Sequence, residues 1–118
     1  RYGQLLEGVA GLAVPREPRW ARSNWQSYCV NLSGADQRTT MQALLDRGIS
    51  TRRGVMNAHL EGAYLNRGRS VAGSDLALSV AAQSRSIILP LSVQMTDGEL
   101  AFVADALGEV LGKASVAA

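Results

Sequence analysis

Two adjacent arginines, Arg52 and Arg53, are the residues of this sequence whose chemistry most clearly suggests a ligand. A guanidinium group stays protonated and presents its N–H donors in a plane that matches phosphate and carboxylate oxygens. Two such groups at the end of a strand, ahead of a long loop, could therefore hold a phosphate or a diphosphate. The alternative interpretation is a solvated surface pair, because charged side chains are rarely buried.

His59 is the only histidine, and it follows the arginines in a polar stretch. It could contact a substrate, or it could be a solvated histidine with local hydrogen bonds. With one histidine, one cysteine and no glycine-rich phosphate loop of the usual spacing, the sequence offers neither a metal-ligand set nor a nucleophile with its base. We expect no catalytic residue, no metal ligand and no cofactor-binding residue in this chain.

The spacing of apolar residues predicts the elements that position these side chains. Asp36 is typical of a helix N-cap, and Gly48 of the left-handed position that closes a helix. The predicted elements are the end of a helix at 2–9, a strand at 25–32, a helix at 36–48, a strand at 49–53, a helix at 74–85, a strand near 86–91 and a helix that starts at the capping box 96–99.

The remaining stretches are predicted to be irregular. Residues 15–24 and 54–73 read as loops, and 113–118 as a frayed tail. Tyr28, Val30 and Leu32 share one face of their strand, and Leu76, Ala77 and Val80 should face inward from the fifth element. The chain is thus predicted to be an α+β domain, with a small, mainly antiparallel sheet of about three strands covered by helices.

Composition narrows the functional classes. The 118 residues suit one domain, and no apolar run approaches the roughly 20 residues that cross a bilayer. A net charge of +2 gives no argument for nucleic acid, so we expect neither nucleic acid nor membrane as a partner. A single cysteine, Cys29, favours a reducing compartment and a cytoplasmic location. Because residues 1–7 resemble the middle of a helix, we expect the chain to be cut from a longer protein.

Five segments together resemble one enzyme family. They are WQSYCV (25–30), LDRGISTRRG (45–54), HLEGAY (59–64), SIILPL (86–91) and QMT (94–96). In order and spacing they are similar to the C-terminal portion of the pyridoxal-phosphate-dependent nucleotide-sugar aminotransferases of the DegT/StrS type. Two positions differ: the family often has proline before the histidine and before the Ala-Tyr pair, where this chain has Asn57-Ala58 and Gly62, so we expect a looser loop.

The resemblance implies that residues 1–118 are a single C-terminal small domain of a fold type I aminotransferase, without the large domain that holds the cofactor. The family transfers an amino group, usually from glutamate, to a keto sugar on a nucleoside diphosphate, and works as a homodimer. The lysine that binds pyridoxal phosphate belongs to the large domain, and the only lysine here is Lys113. The isolated chain is therefore expected to bind no pyridoxal phosphate and to be inactive.

Carried over by position, Thr51, Arg52, Arg53 and His59 occupy the stretch that faces the sugar-nucleotide pocket in the family, where they would anchor and orient the substrate. The expected partners are the nucleotide sugar, the chain's own large domain and a second copy of the enzyme. Two alternatives stay open: a pyridoxal-phosphate sugar dehydratase of the same family, and a free-standing anion-binding or interaction module.

Overall fold

The computed structural model describes residues 1–65 and 76–116, with the backbone alone at residue 65 and residues 113–116. Its elements, in chain order, are α1 (Tyr2–Leu5), β1 (Leu12–Ala13), β2 (Tyr28–Leu32), α2 (Gln37–Leu45), β3 (Arg52–Arg53), a 3₁₀ helix (Ala58–Leu60), α3 (Gly62–Leu65), α4 (Ala77–Arg85), β4 (Ser86–Leu89) and α5 (Asp97–Val116). The predicted α+β fold class is confirmed.

The four strands form one antiparallel sheet in the order β1-β2-β4-β3. The three predicted strands are present but shorter than expected: β2 begins at Tyr28, and only Arg52 and Arg53 of the 49–53 segment pair with β4. β1 was not predicted, because two residues are too few for an alternating pattern to be recognised. β3 is an edge strand, so the two arginines lie at the border of the sheet.

One face of the sheet is buried by helices. Tyr28, Val30 and Leu32 are buried as predicted, whereas Cys29 and Asn31 between them are not. The cluster of buried apolar residues draws on α1, α2, α5 and the strands, and comprises Tyr2, Leu6, Tyr28, Val30, Leu32, Leu44, Ile49, Ile87, Leu89, Val103, Ala104, Ala106, Leu107, Val110 and Leu111. Burial of this apolar area is the main favourable term in folding.

The ends of α2 follow the sequence signals. The carboxylate of Asp36 accepts the N–H of Thr39 at 2.8 Å, which satisfies a donor of the first turn. Gly48 has a φ of +78°, and the N–H of Ile49 donates to the carbonyl of Leu44 at 3.0 Å, as in a Schellman motif. Ile49 therefore belongs to the helix cap, which explains why β3 starts later than predicted.

The capping box ahead of α5 is also confirmed. The N–H of Thr96 donates to Glu99 Oε2 at 2.7 Å, and the N–H of Glu99 donates to Thr96 Oγ1 at 3.2 Å. The helix then continues to Val116, past Lys113 where a tail was predicted, because no proline interrupts its final turns. None of the helices in the described residues, α5 included, combines the length and apolar character needed to cross a membrane.

Two predictions need correction around α4. No residue of α4 is buried: Ala77 is exposed, and Val80 is 37% exposed to solvent. The helix lies outside the core because α1, α2 and α5 already supply the helical side chains of the buried cluster. The stretch from residue 54 is likewise not wholly irregular, since it contains the 3₁₀ helix and α3. The predicted cap at 74–75 and the loop at 66–73 lie outside the described residues.

Candidate functional site

The two arginines of β3 extend to opposite faces of the sheet. Arg53 is paired in register with Ile87, and Arg52 with Ile88. Cross-strand partners share a face and neighbouring strand residues alternate, so Arg53 lies on the face of the buried Ile87 and Arg52 on the other. The structure therefore does not bring the two guanidinium groups together as one clamp. Both side chains are exposed.

Arg53 borders a groove of about 780 Å³ that lies between α2, α4 and the β3 edge. Thr51 lines the same groove, so this predicted site residue does share a surface with Arg53. The apolar part of the lining comes from Met41, Leu45, Leu60 and Val80. A ligand here would meet these apolar side chains together with polar ones and the guanidinium groups of Arg53 and Arg38.

Arg52 lines a separate, smaller cavity of about 170 Å³ on the other face. The other residues that line this cavity include Gln26 and Ser27, just before β2, and Pro90, just after β4. Within the described residues, no carboxylate forms an ion pair with Arg52 or Arg53. Each guanidinium is thus available to an anion that approaches from its own side of the sheet.

Two polar atoms of the predicted site residues are buried without a hydrogen-bond partner among the described residues, although His59 lines neither the groove beside Arg53 nor the cavity beside Arg52. They are Oγ1 of Thr51 and Nε2 of His59. His59 lies in the middle of the 3₁₀ helix and is half-buried. Leaving a buried donor or acceptor unpaired costs about 1 to 3 kcal/mol, so a partner supplied by a ligand or another segment would be favourable. Both atoms belong to residues that the sequence had placed in the site.

A close backbone contact fixes where the chain leaves β3. The N–H of Gly54 donates to the carbonyl of Ser86 at 2.9 Å. A Cβ at position 54 would overlap Oγ of Ser86, so any other residue would require β3 and β4 to separate or Ser86 to move. Glycine at this position therefore lets the edge strand approach β4 closely, which sets the starting point of the segment that carries His59.

The groove has an acidic end as well as a basic one. Asp36 lines the groove at the N-terminus of α2, where it accepts hydrogen bonds from the backbone N–H and the hydroxyl of Thr39, each at 2.8 Å. These hydrogen bonds hold the pKa of Asp36 below its ordinary value, so the carboxylate stays ionised at neutral pH. Arg38 lines the groove beside Asp36, so the charges at this helix end offset each other, whereas Arg53 leaves the other end positive.

Sequence reasoning missed the amide side chains around the site. The backbone N–H of Asn57 donates to Gln83 Oε1 at 2.5 Å, and Asn57 Nδ2 donates to the carbonyl of Ser79 at 2.8 Å. A signal was available in Gln83 itself, a long polar residue within a helix of mainly small residues. Its partner could not be inferred, because the two residues are 26 positions apart.

Comparisons with known proteins identify the family of this fold. The family model of the DegT/DnrJ/EryC1/StrS aminotransferases matches residues 1–108. A search of curated proteins finds no match. The aminotransferase TlmJ from Streptoalloteichus hindustanus is 28% identical, with a TM-score of 0.82 over 96% of this chain and 29% of its own.

Two further solved structures share the fold. DesI, solved in the presence of its TDP-sugar product, is 23% identical with a TM-score of 0.79, over 98% of this chain and 30% of DesI. Spr1654 from Streptococcus pneumoniae, in its PLP-form, is 20% identical with a TM-score of 0.82, over 96% of this chain and 29% of its own.

This chain spans under a third of the solved chains it matches. Its antiparallel sheet with helices is nevertheless the fold of the corresponding part of these fold type I aminotransferases. The family model covers all of the elements up to the middle of α5, including β3 and the His59 turn. The chain belongs to the DegT/DnrJ/EryC1/StrS aminotransferase family.

Proposed function

We propose that this chain is the C-terminal small domain of a pyridoxal-phosphate-dependent aminotransferase that transfers an amino group, from glutamate, to the keto sugar of a nucleoside-diphosphate sugar. Three findings support the proposal: the family of the chain, the TDP-sugar product of DesI and the PLP-form of Spr1654. The chain's short span of its relatives supports a further, larger domain in the whole protein.

The observation that carries the proposal is the concentration of uncompensated polar groups around β3. Arg52 and Arg53 form no ion pair with a carboxylate of the described residues, and Oγ1 of Thr51 and Nε2 of His59, on the same stretch of chain, are buried without a hydrogen-bond partner there. In this proposal Arg52 and Arg53 hold anionic or polar groups of the nucleotide sugar from two directions, while Thr51 and His59 orient hydroxyl groups. Arginine binds without exchanging protons, so these residues bind and orient the substrate.

The residues described here do not fit the covalent site of pyridoxal phosphate. That site requires a lysine amine, and Lys113, the only lysine, lies near the end of α5. The residues that line the groove and the smaller cavity beside β3 include no lysine. We therefore assign the cofactor to the large domain and derive no step of the reaction from this chain's contact with it.

Exposed apolar residues near the site support the large domain, and a second copy of the enzyme, as partners. Val55 is 79% exposed, Met56 60% and Tyr64 59%, all within the segment that follows β3. Such a run is unfavourable in water and would be stabilised by burial against another domain or subunit. A cytoplasmic enzyme that works as a homodimer is consistent with the same proposal.

The test is an assay of the full-length protein with pyridoxal phosphate, L-glutamate and a nucleoside-diphosphate keto sugar. We expect one 2-oxoglutarate per amino sugar formed, and a change of the cofactor's absorbance when glutamate is added alone. Loss of water from the sugar with no glutamate consumed would instead identify a dehydratase. Absence of any cofactor absorbance change with either compound would contradict the proposal.

A further inference from the structure

Helix α4 is held in place by amide hydrogen bonds and not by core packing. None of its residues is buried, and Leu78 is 89% exposed. Nε2 of Gln37, in the first turn of α2, donates to the carbonyls of Gln83 and Ser86 at 2.9 and 2.6 Å. These bonds fasten the C-terminal end of α4 to the N-terminal end of α2.

The same helix fastens the turn that carries His59. Oε1 of Gln83 accepts the backbone N–H of Asn57 at 2.5 Å, and Nδ2 of Asn57 donates to the carbonyl of Ser79 at 2.8 Å. The carbonyl of Asn57 accepts the N–H of Leu60 at 3.0 Å, which closes the 3₁₀ helix around His59. Asn57 thus donates twice to α4, through its backbone N–H to the Gln83 side chain and through its own side chain to the carbonyl of Ser79, and we call these two bonds the amide clamp.

Resting on the proposed function, we infer that Gln83 and Asn57 are positioning residues: the amide clamp sets the orientation of the His59 imidazole toward the nucleotide sugar. Neither residue contributes to the buried apolar cluster. Hydrogen bonds between two peripheral elements contribute little to global stability, but their geometry restricts the orientation of the groups they join. Loss of the clamp should therefore affect substrate binding much more than folding.

The direction of each bond allows a matched pair of variants. Gln83 uses its side-chain oxygen as an acceptor toward Asn57. Gln83→Glu keeps an acceptor oxygen and strengthens it with charge, whereas Gln83→Ala removes it. Gln94→Ala is the control, since Gln94 is an exposed glutamine outside the amide clamp and the site.

The first arm of the experiment uses steady-state kinetics of the full-length enzyme. We expect Gln83→Ala to raise the KM for the nucleotide sugar about three- to tenfold with kcat nearly unchanged, since one lost hydrogen bond is worth roughly that factor. Gln83 also lines the groove beside Arg53, so Gln83→Glu adds a negative charge there, and its retained acceptor is judged from the His59 signals and not from KM. Gln94→Ala should match the unmodified enzyme. In a His59→Ala background Gln83→Ala should have no further effect, because it acts through His59.

The second arm does not depend on the proposed activity. The imidazole ¹⁵N signals of His59, assigned by their loss in His59→Gln, should shift or broaden in Gln83→Ala and return in Gln83→Glu. Unchanged His59 signals in Gln83→Ala, or a Gln83→Ala effect on KM that persists without His59, would overturn the inference. If the signals respond while no nucleotide sugar is turned over, the clamp stands and the proposed function fails.

Discussion

Two regions of the molecule are held together by different forces. The first is the sheet with α2 and α5, and the second is the pair formed by α4 and the His59 turn. In the first region Val30, Leu44, Ile87 and Leu107 are completely buried, and their contacts are apolar. In the second, no residue of α4 is buried, and directional hydrogen bonds of Gln83 and its partners set the geometry. Apolar burial gives stability without fixing polar groups, whereas hydrogen bonds fix polar groups at little gain in stability.

The largest expected effect lies in the apolar region. Leu107→Ala should lower the free energy of unfolding by about 2 to 5 kcal/mol, because it removes buried methyl groups and leaves a cavity. Leu78→Ala, the same change at an exposed position of α4, should alter it by under about 0.5 kcal/mol. Urea denaturation measures both. Equal effects of the two substitutions would remove the distinction between the regions.

A smaller effect is expected at the junction between the regions. Gly54→Ala should destabilise the protein by about 1 to 3 kcal/mol, since its Cβ would overlap Ser86 Oγ. Ser86→Gly in the same chain should restore part of that loss by removing the overlapping atoms. Gly62→Ala is the control, because no atom of the part of the chain that the structure describes lies within 4 Å of its added Cβ. Urea midpoints that show no coupling between positions 54 and 86 would refute the close contact.

The smallest effect concerns the hydroxyl group of the buried Tyr2. Tyr2 donates to the carbonyl of Pro90 at 2.8 Å, and burial, with the neighbouring Tyr28, raises its pKa to about 12. A pKa above the unfolded value of about 10 means that its contribution to stability is complete below pH 10 and is lost as pH rises toward 12.

Tyr2→Phe tests this prediction. At neutral pH it should cost about 0.5 to 1.5 kcal/mol for the lost hydrogen bond. Between pH 10 and 12, stability should fall less steeply in Tyr2→Phe than in the unmodified protein, because one titrating group is gone. Denaturation midpoints across this pH range measure the difference, and parallel pH profiles would contradict the assigned pKa.

The difference between the two regions also explains what could be predicted from the sequence. The caps of α2 and α5 depend on residues close in sequence, so Asp36, Gly48 and Glu99 were enough to predict them. The buried face of β2 was likewise predicted from the alternation along one strand. The inward face assigned to α4 was wrong, because burial depends on which helices already occupy the sheet. β1 was missed because its two residues carry no periodic signal.

The candidate site divides in the same way. The adjacent Arg52 and Arg53 were predicted at the end of a strand, and in the structure they form β3. The structure also places Thr51 in the same groove as Arg53. That the arginines face opposite sides depends on the register of β3 with β4. The amide clamp joins residues 22 and 26 positions apart, so it could not be found before α4 was placed.

The central claim of this account is that the residues of β3 bind the substrate. It is tested most directly by the KM for the nucleotide sugar, measured on the full-length enzyme in Arg52→Ala, Arg53→Ala and the double variant. Each single change should raise KM about ten- to hundredfold with a smaller change in kcat, as expected for a lost charge-assisted contact of about 1.5 to 3 kcal/mol. The double variant should raise KM further than either single change, because the two side chains lie on opposite faces and cannot replace each other. Arg47→Ala, which removes an arginine paired with Glu109 at 3.5 Å, should leave KM unchanged. An unchanged KM in both Arg52→Ala and Arg53→Ala, or an equal rise in Arg47→Ala, would contradict the account.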